Sequence, residues 1–191
     1  MYKVVSALVA ILILEGCGGS SSSNPTTPTT TEADKTYKTI SGDVISVADG
    51  DTITVIDDKE QQYRVRLSCI DTPEKSQEFG DEPKEALIDL VEGKRVSIKY
   101  AEKDQYGRII GDVKVDDTDV NLEQVKNGMA WVYRRYCKDC DFYDAEKSAR
   151  DKNLGLWAMD NPTPPWEYRK DAQSAKEKDW SYLYSDSCPA D

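Results

Sequence analysis

The stretch TISGDVISVADGDTITVIDDKEQQYRVRLSCI, residues 39–70, decides how this chain folds. Its β-branched residues fall into three short runs, Thr39–Ala48, Thr52–Ile56 and Tyr63–Ile70, parted by Asp-Gly and Asp-Asp pairs that suit turns. That spacing predicts a three-stranded meander. Downstream, Pro83–Glu92 reads as a helix, with Pro83 in the first turn, Leu87, Leu90 and Val91 on one face and Gly93 just past the end. Two more strands follow, Arg95–Tyr100 and Ile109–Val115, joined by a polar turn at Tyr106-Gly107. Helices are predicted over Val120–Asn127, closed by Gly128, and over Asp141–Asn153. Pro162, Pro164 and Pro165 read as forbidding further regular structure. Five strands with a helix after the third predict a mainly β, α+β fold: an OB-type five-stranded barrel with about three helices.

Outside this core the chain changes character. Lys3 precedes an apolar run of 11 residues, Val4–Leu14, and then Glu15-Gly16-Cys17. The run is too short to span a bilayer as a helix and fits a signal peptide. Residues 1–17 are read as a lipoprotein signal, with Cys17 as the lipidation site although Glu15 is unusual there. Ordinary secretion with cleavage near Gly18 or Gly19 is the alternative. Residues 18–35 are a Ser/Thr/Pro-rich linker, 36–167 the folded domain and 168–191 a C-terminal tail. The tail is expected to pack on the domain or to be tied down by a disulfide. Export would leave the chain membrane-anchored, at an outer membrane or cell surface, or secreted.

The chain has 36 acidic and 25 basic residues, a formal net charge of −11, and no histidine. Acidity argues against a protein that coats nucleic acid, because phosphate neutralisation dominates such affinity. It weighs less against an enzyme that needs only a local positive cleft. The lack of histidine excludes Ser-His and Cys-His triads and histidine-ligated zinc. Besides Cys17, the cysteines are Cys69, Cys137, Cys140 and Cys188, which allow three pairings. In an oxidising compartment they are read as structural disulfides, the pairing left open. Cys69, in step with Val65 and Leu67 and opposite Arg66, reads as a core or disulfide residue and not as a nucleophile.

Four short segments carry chemistry: Asp49-Gly50-Asp51-Thr52, Arg64-Val65-Arg66-Leu67, Asp71-Thr72-Pro73-Glu74 and Asp104-Gln105-Tyr106-Gly107-Arg108. Each alone fits an ordinary turn or strand. In series, GDVISVADGDT, VRLSCIDTPE, EFGDEPKEAL, DQYGR, GMAWVY and GLW resemble the staphylococcal-nuclease (thermonuclease) family from about Thr39 to Trp157. One departure is Gln105, where the family has a basic residue; another is Arg134-Arg135 among the aromatics Trp131, Tyr133 and Tyr136.

Phosphodiester hydrolysis needs a nucleophilic water, charge stabilisation on the phosphoryl oxygens and in-line geometry. Glu74 is the candidate general base, and Arg66 and Arg108 the fixed bidentate donors to phosphate. Removing either arginine is expected to depress turnover by orders of magnitude and leave folding largely intact. Asp51 and Asp71 offer hard oxygen ligands suited to Ca²⁺. The resemblance adds the Thr72 carbonyl as a third ligand, puts Arg66, Glu74 and Arg108 at the family's catalytic positions, and implies 3′-phosphorylated products. Tyr106 would reach a terminal phosphate or stack on a base, and Tyr136 would join it in holding substrate. Trp131 and Tyr133 read equally well as core. The resulting expectation is a monomeric, Ca²⁺-dependent, sequence-nonspecific endonuclease acting on DNA and RNA, with no protein partner evident. The alternatives are a catalytically silent surface lipoprotein that binds nucleic acid or protein, and a tethered adhesion protein. The presence of Asp51, Arg66, Asp71, Glu74 and Arg108 together favours activity.

Overall fold

The structure, a computed structural model, describes residues 36–170 and Cys188. The segments expected as signal peptide (1–17, with Cys17) and linker (18–35), and most of the 168–191 tail, lie outside the described residues. In chain order the elements are β1 (Lys38–Asp49), β2 (Thr52–Ile56), β3 (Gln62–Leu67), β4 (Ile70–Asp71), α1 (Glu82–Val91), β5 (Arg95–Lys103), β6 (Ile109–Val115), β7 (Thr118–Asp119), α2 (Val120–Lys126), β8 (Trp131–Val132), α3 (Cys140–Asp151) and α4 (Pro165–Lys170).

Strand β1 is long enough to serve two partners. Its first half pairs with β5, Lys38 opposite Tyr100 through Asp43 opposite Arg95. Its second half pairs with β2, Asp43 opposite Ile56 through Asp49 opposite Thr52. Gly42 stands at the changeover, where a Cβ would collide with the Ile56 carbonyl and lie 2.7 Å from Val55 Cγ1, so the strands cross this closely only because it has no side chain. β2 pairs with β3, β5 with β6, and β3 closes the circle by running parallel to β6. The result is the five-stranded closed barrel of an OB-like α+β fold, with four α-helices among the described residues. Closure removes the free edges that an open sheet would present.

Alternation along the strands explains the core. Ile53, Val55, Val65, Leu67, Val96, Ile98, Ile109 and Val113 are all buried to within 1 % of full burial. Each such side chain stabilises the fold by roughly 1.5–3 kcal/mol relative to exposure. Leu87 and Val91 of α1 and Val120 and Val125 of α2 join the same cluster. Buried Asn121 fastens α2 to the barrel. It accepts from the Val113 amide (3.1 Å) and donates to the carbonyls of Ser68 and Gly111 (3.1 Å each).

Two expectations are corrected. The run Tyr63–Ile70 is not one strand: Cys69 adopts φ 65°, so β3 ends at Leu67 and Ile70–Asp71 pairs instead with Trp131–Val132. The kink is held by the Cys69–Cys137 disulfide and by the Tyr133 amide on the Cys69 carbonyl, 2.8 Å. The prolines after Trp157 do not end regular structure, because Pro165 opens α4, where a missing N–H costs no helical hydrogen bond. The boundary drawn between residues 167 and 168 therefore falls inside a helix. The second disulfide joins Cys140 to Cys188 and ties the tail to the start of α3.

Candidate active site

The Asp49-Gly50-Asp51-Thr52 turn is pressed against two neighbours. A Cβ on Gly50 would lie 2.5 Å from Pro83 Cβ and 3.0 Å from Thr72 Cβ, so the turn packs this closely only with glycine. Buried Gln124 donates to the Gly50 carbonyl (2.8 Å) and the Pro83 carbonyl (2.9 Å), and the Leu67 amide donates to the Asp51 carbonyl (2.8 Å). These contacts aim the Asp51 side chain at the segment 71–72. Asp51 Oδ2 accepts from the Thr72 amide and hydroxyl, 3.1 Å each, and Oδ1 from the Thr52 hydroxyl, 3.1 Å.

Asp71 reaches the same point from β4. Its carboxylate is 2 % exposed and Asp51 is 6 % exposed. Arg66 lies between them, Nη1 3.0 Å from Asp51 Oδ2 and Nη2 2.8 Å from Asp71 Oδ1. A third guanidinium, Arg169 of α4, grips Asp71 through both oxygens (2.7 and 3.3 Å) and Glu74 Oε1 at 2.8 Å. Burial holds the Asp71 carboxyl above the ordinary aspartate range, against the pull of Arg169 and Arg66. Loss of solvation, together with the adjoining Asp51 carboxylate, pushes the Asp49 carboxyl up to about 6, although Asp49 as a whole residue stands exposed.

Arg108 stands in the turn just before β6. Parallel pairing sets Arg66 opposite Ile110, two residues beyond Arg108, so both arginines serve one end of the barrel. Its Nε binds Asp104 Oδ2 at 2.7 Å, while Asp104 Oδ1 accepts from the amides of Tyr106 and Arg108, 2.9 Å each. Partial burial opposes it, yet the Arg108 guanidinium and these amides hold Asp104 below its usual range. Tyr106 is 75 % and Tyr136 64 % exposed. Trp131 is fully buried, and Tyr133 stacks on Trp166 with centroids 5.3 Å apart.

Asp51, Arg66, Asp71, Thr72, Glu74, Tyr106, Arg108 and Tyr136 all line one open cleft of about 1280 Å³. Arg169 lines it too, but a single arginine in a charged segment has no spacing that marks it in the sequence. Asp49 and Gln124 were likewise unassigned. The structure also divides the two arginines. Loss of Arg108 leaves Asp104 hydrogen-bonded, whereas loss of Arg66 strips a shared cation from two buried carboxylates. Folding is therefore not indifferent to Arg66.

The donor set suits a hard cation. It consists of carboxylate oxygens, where burial, and after it the Asp51 charge, raises the Asp49 and Asp71 carboxyls. Among the described residues no three or more acidic, cysteine or histidine side chains converge on one point. A cation here would take the two aspartates and fill its shell with carbonyl and water oxygens.

Comparison with known proteins agrees with this layout. Residues 64–159 match the model of the family described as staphylococcal nuclease homologue. A protein of Haemophilus influenzae named as an uncharacterized endonuclease is 42% identical over 127 residues, 66% of this chain and 71% of that one. Micrococcal nuclease of Shigella flexneri is 39% identical over 145 residues, 70% of this chain and 83% of its own. Staphylococcal-like nuclease CAN1 of Arabidopsis thaliana is 38% identical over 143 residues, 73% of this chain and 42% of its own. With a closed barrel that gathers these carboxylates and arginines at one end, and with this family model matching half its length, the chain belongs to the staphylococcal nuclease family.

Proposed function

We propose that this nuclease is a Ca²⁺-dependent, sequence-nonspecific phosphodiesterase cutting DNA and RNA, with Glu74 as general base and Arg66 and Arg108 as transition-state donors. The observation that carries the reading is that these three side chains line the cleft whose floor holds the buried Asp51–Asp71 pair. The cleft is lined by six basic and seven acidic side chains, so it is not net positive by itself. A polyanion is attracted only once a cation joins the carboxylates, which supports metal dependence. Asp51, Asp71 and the Thr72 carbonyl would hold the ion. When bound, it supplies charge neutralisation at a phosphoryl oxygen and lowers the pKa of a bound water.

Glu74 is a reasonable base because its side chain is 41 % exposed and thus within reach of water. It would take the proton from the attacking water at a carboxylate oxygen. Arg66 and Arg108 cannot lose their charge and present paired N–H groups to developing oxyanion charge, where donors are worth most in a cleft. Tyr106 and Tyr136 offer exposed ring faces for bases, and stacking tolerates any sequence and either sugar. Export as a lipid-anchored or secreted monomer is part of the same proposal, supported by Val4–Leu14, Cys17 and two disulfides of the kind that persist in oxidising compartments.

The test is digestion of plasmid and of single-stranded RNA by the full chain with Ca²⁺ or with EGTA, for wild type and Glu74→Gln. Cleavage should require Ca²⁺ and fall by about 10²–10⁴-fold in the variant. Full cleavage in EGTA removes the metal from the mechanism, and full cleavage by Glu74→Gln removes the base.

A further inference from the structure

Arg169 is held in place by more than its ion pairs. Trp166 stacks on Tyr133 with an interplanar angle of 5° and meets Trp131 edge-on at 5.7 Å. The Tyr168 hydroxyl binds the carbonyl and hydroxyl of Ser76 at 3.1 and 3.0 Å. Just ahead of α4, the Thr163 carbonyl accepts from Gln77 at 2.9 Å, and the same Gln77 side chain accepts from the Glu74 amide at 2.8 Å. The helix is thus docked on the 71–77 segment, and position 169 faces the cleft by construction.

The atoms it engages matter. Arg169 occupies both oxygens of Asp71 and one of Glu74. Asp71 Oδ1 also accepts from Arg66, so none of its oxygens is without a guanidinium donor. A divalent ion bound to Asp71 must therefore displace Arg169 or share an oxygen with it across a short distance, where two positive charges repel strongly. Two carboxylates separated by Thr72-Pro73 also repel each other, and the Arg169 guanidinium between them relieves that repulsion. The segment that matches the family model, 64–159, stops short of this helix.

We propose that Arg169 is a tethered counter-ion of the active site, competing with the divalent cation for the Asp71 carboxylate and so weakening metal binding in the absence of substrate. This rests on the metal assignment to Asp51 and Asp71 made above. Displaced from those oxygens, its guanidinium stands at the cleft wall, free to pair with a substrate phosphate.

Titration calorimetry of Ca²⁺ into metal-free full chain, without nucleic acid, tests it with wild type, Arg169→Gln, Arg169→Lys and Asp71→Asn, alongside melting curves in EGTA. Arg169→Gln should bind Ca²⁺ at least about tenfold more tightly than wild type, because one positive charge has left the ligand oxygens. The same variant should melt lower than wild type in EGTA, and Arg169→Lys, a point charge without the fork, should fall between. A loss of stability without a gain in Ca²⁺ affinity shows a merely structural role and overturns the proposal. Binding that Asp71→Asn abolishes but Arg169→Gln leaves unchanged or weaker sinks the proposal alone. No Ca²⁺ binding by any of the four proteins sinks the metal assignment, and this inference with it.

Discussion

Replacing Arg66 by methionine separates structure from catalysis at this site. Arg66 bridges Asp51 and Asp71, whose carboxylates are almost wholly buried, at 3.0 and 2.8 Å. Removing one partner of a buried ion pair costs roughly 3–5 kcal/mol, because the other charge stays buried. Here the losses are partly covered. Asp71 keeps the Arg169 fork, and Asp51 keeps its hydrogen bonds from Thr72 and Thr52. That puts the cost near the low end, about 3 kcal/mol. For a domain of this size the corresponding drop in Tm is on the order of 10 °C. Arg108→Met serves as the internal control. Its partner Asp104 retains two amide donors, so the cost should stay below about 1 kcal/mol. Thermal melts by circular dichroism in excess EGTA read both numbers, and cleavage with Ca²⁺ should fall in both variants. The reasoning is wrong if Arg66→Met melts within about 2 °C of wild type, or if Arg108→Met falls as far.

Two further outcomes follow from the cleft and its supports. The Cys69–Cys137 bridge closes a loop with a sequence separation of 68, so the paired replacement of both by alanine should lower stability by about 4 kcal/mol in guanidinium unfolding; an unchanged midpoint would mean the tie adds nothing. Tyr106→Ala and Tyr136→Ala remove rings that pack little, so Tm should hold while KM for single-stranded oligonucleotides rises by a factor reflecting about 1–3 kcal/mol of stacking per base; unaltered KM in both takes them out of substrate binding.

Much of the fold was legible because it is governed by local period and punctuation. Alternation in Thr52–Ile56 and Ile109–Val115, Asp-Gly at the first turn, and Pro83 and Gly93 around α1 each report a preference of a few residues for themselves. The errors fall where a distant partner overrode that local signal. Residues 63–70 carry the pattern of one strand, but a disulfide to Cys137 and pairing with β8 turn the chain at Cys69. Pro162–Pro165 read as a stop, but the helix after them is stabilised by Trp166 against Tyr133 and Trp131, which lie more than thirty residues earlier. Arg169 escaped notice for the same reason, since a lone arginine in a charged tail has no spacing that marks it.

By itself the order of residues determined most of the barrel's strands, the inventory of arginines and carboxylates, and the exclusion of histidine chemistry, all properties of composition and short-range geometry. Only the tertiary structure decided that the turn at Gly50 presses against Thr72, that Arg66 spans two buried aspartates and that Arg169 arrives from the far end of the domain to bind one of them, Asp71, together with Glu74. Which charges neutralise one another depends on distance and burial, and chain closure between remote segments sets both.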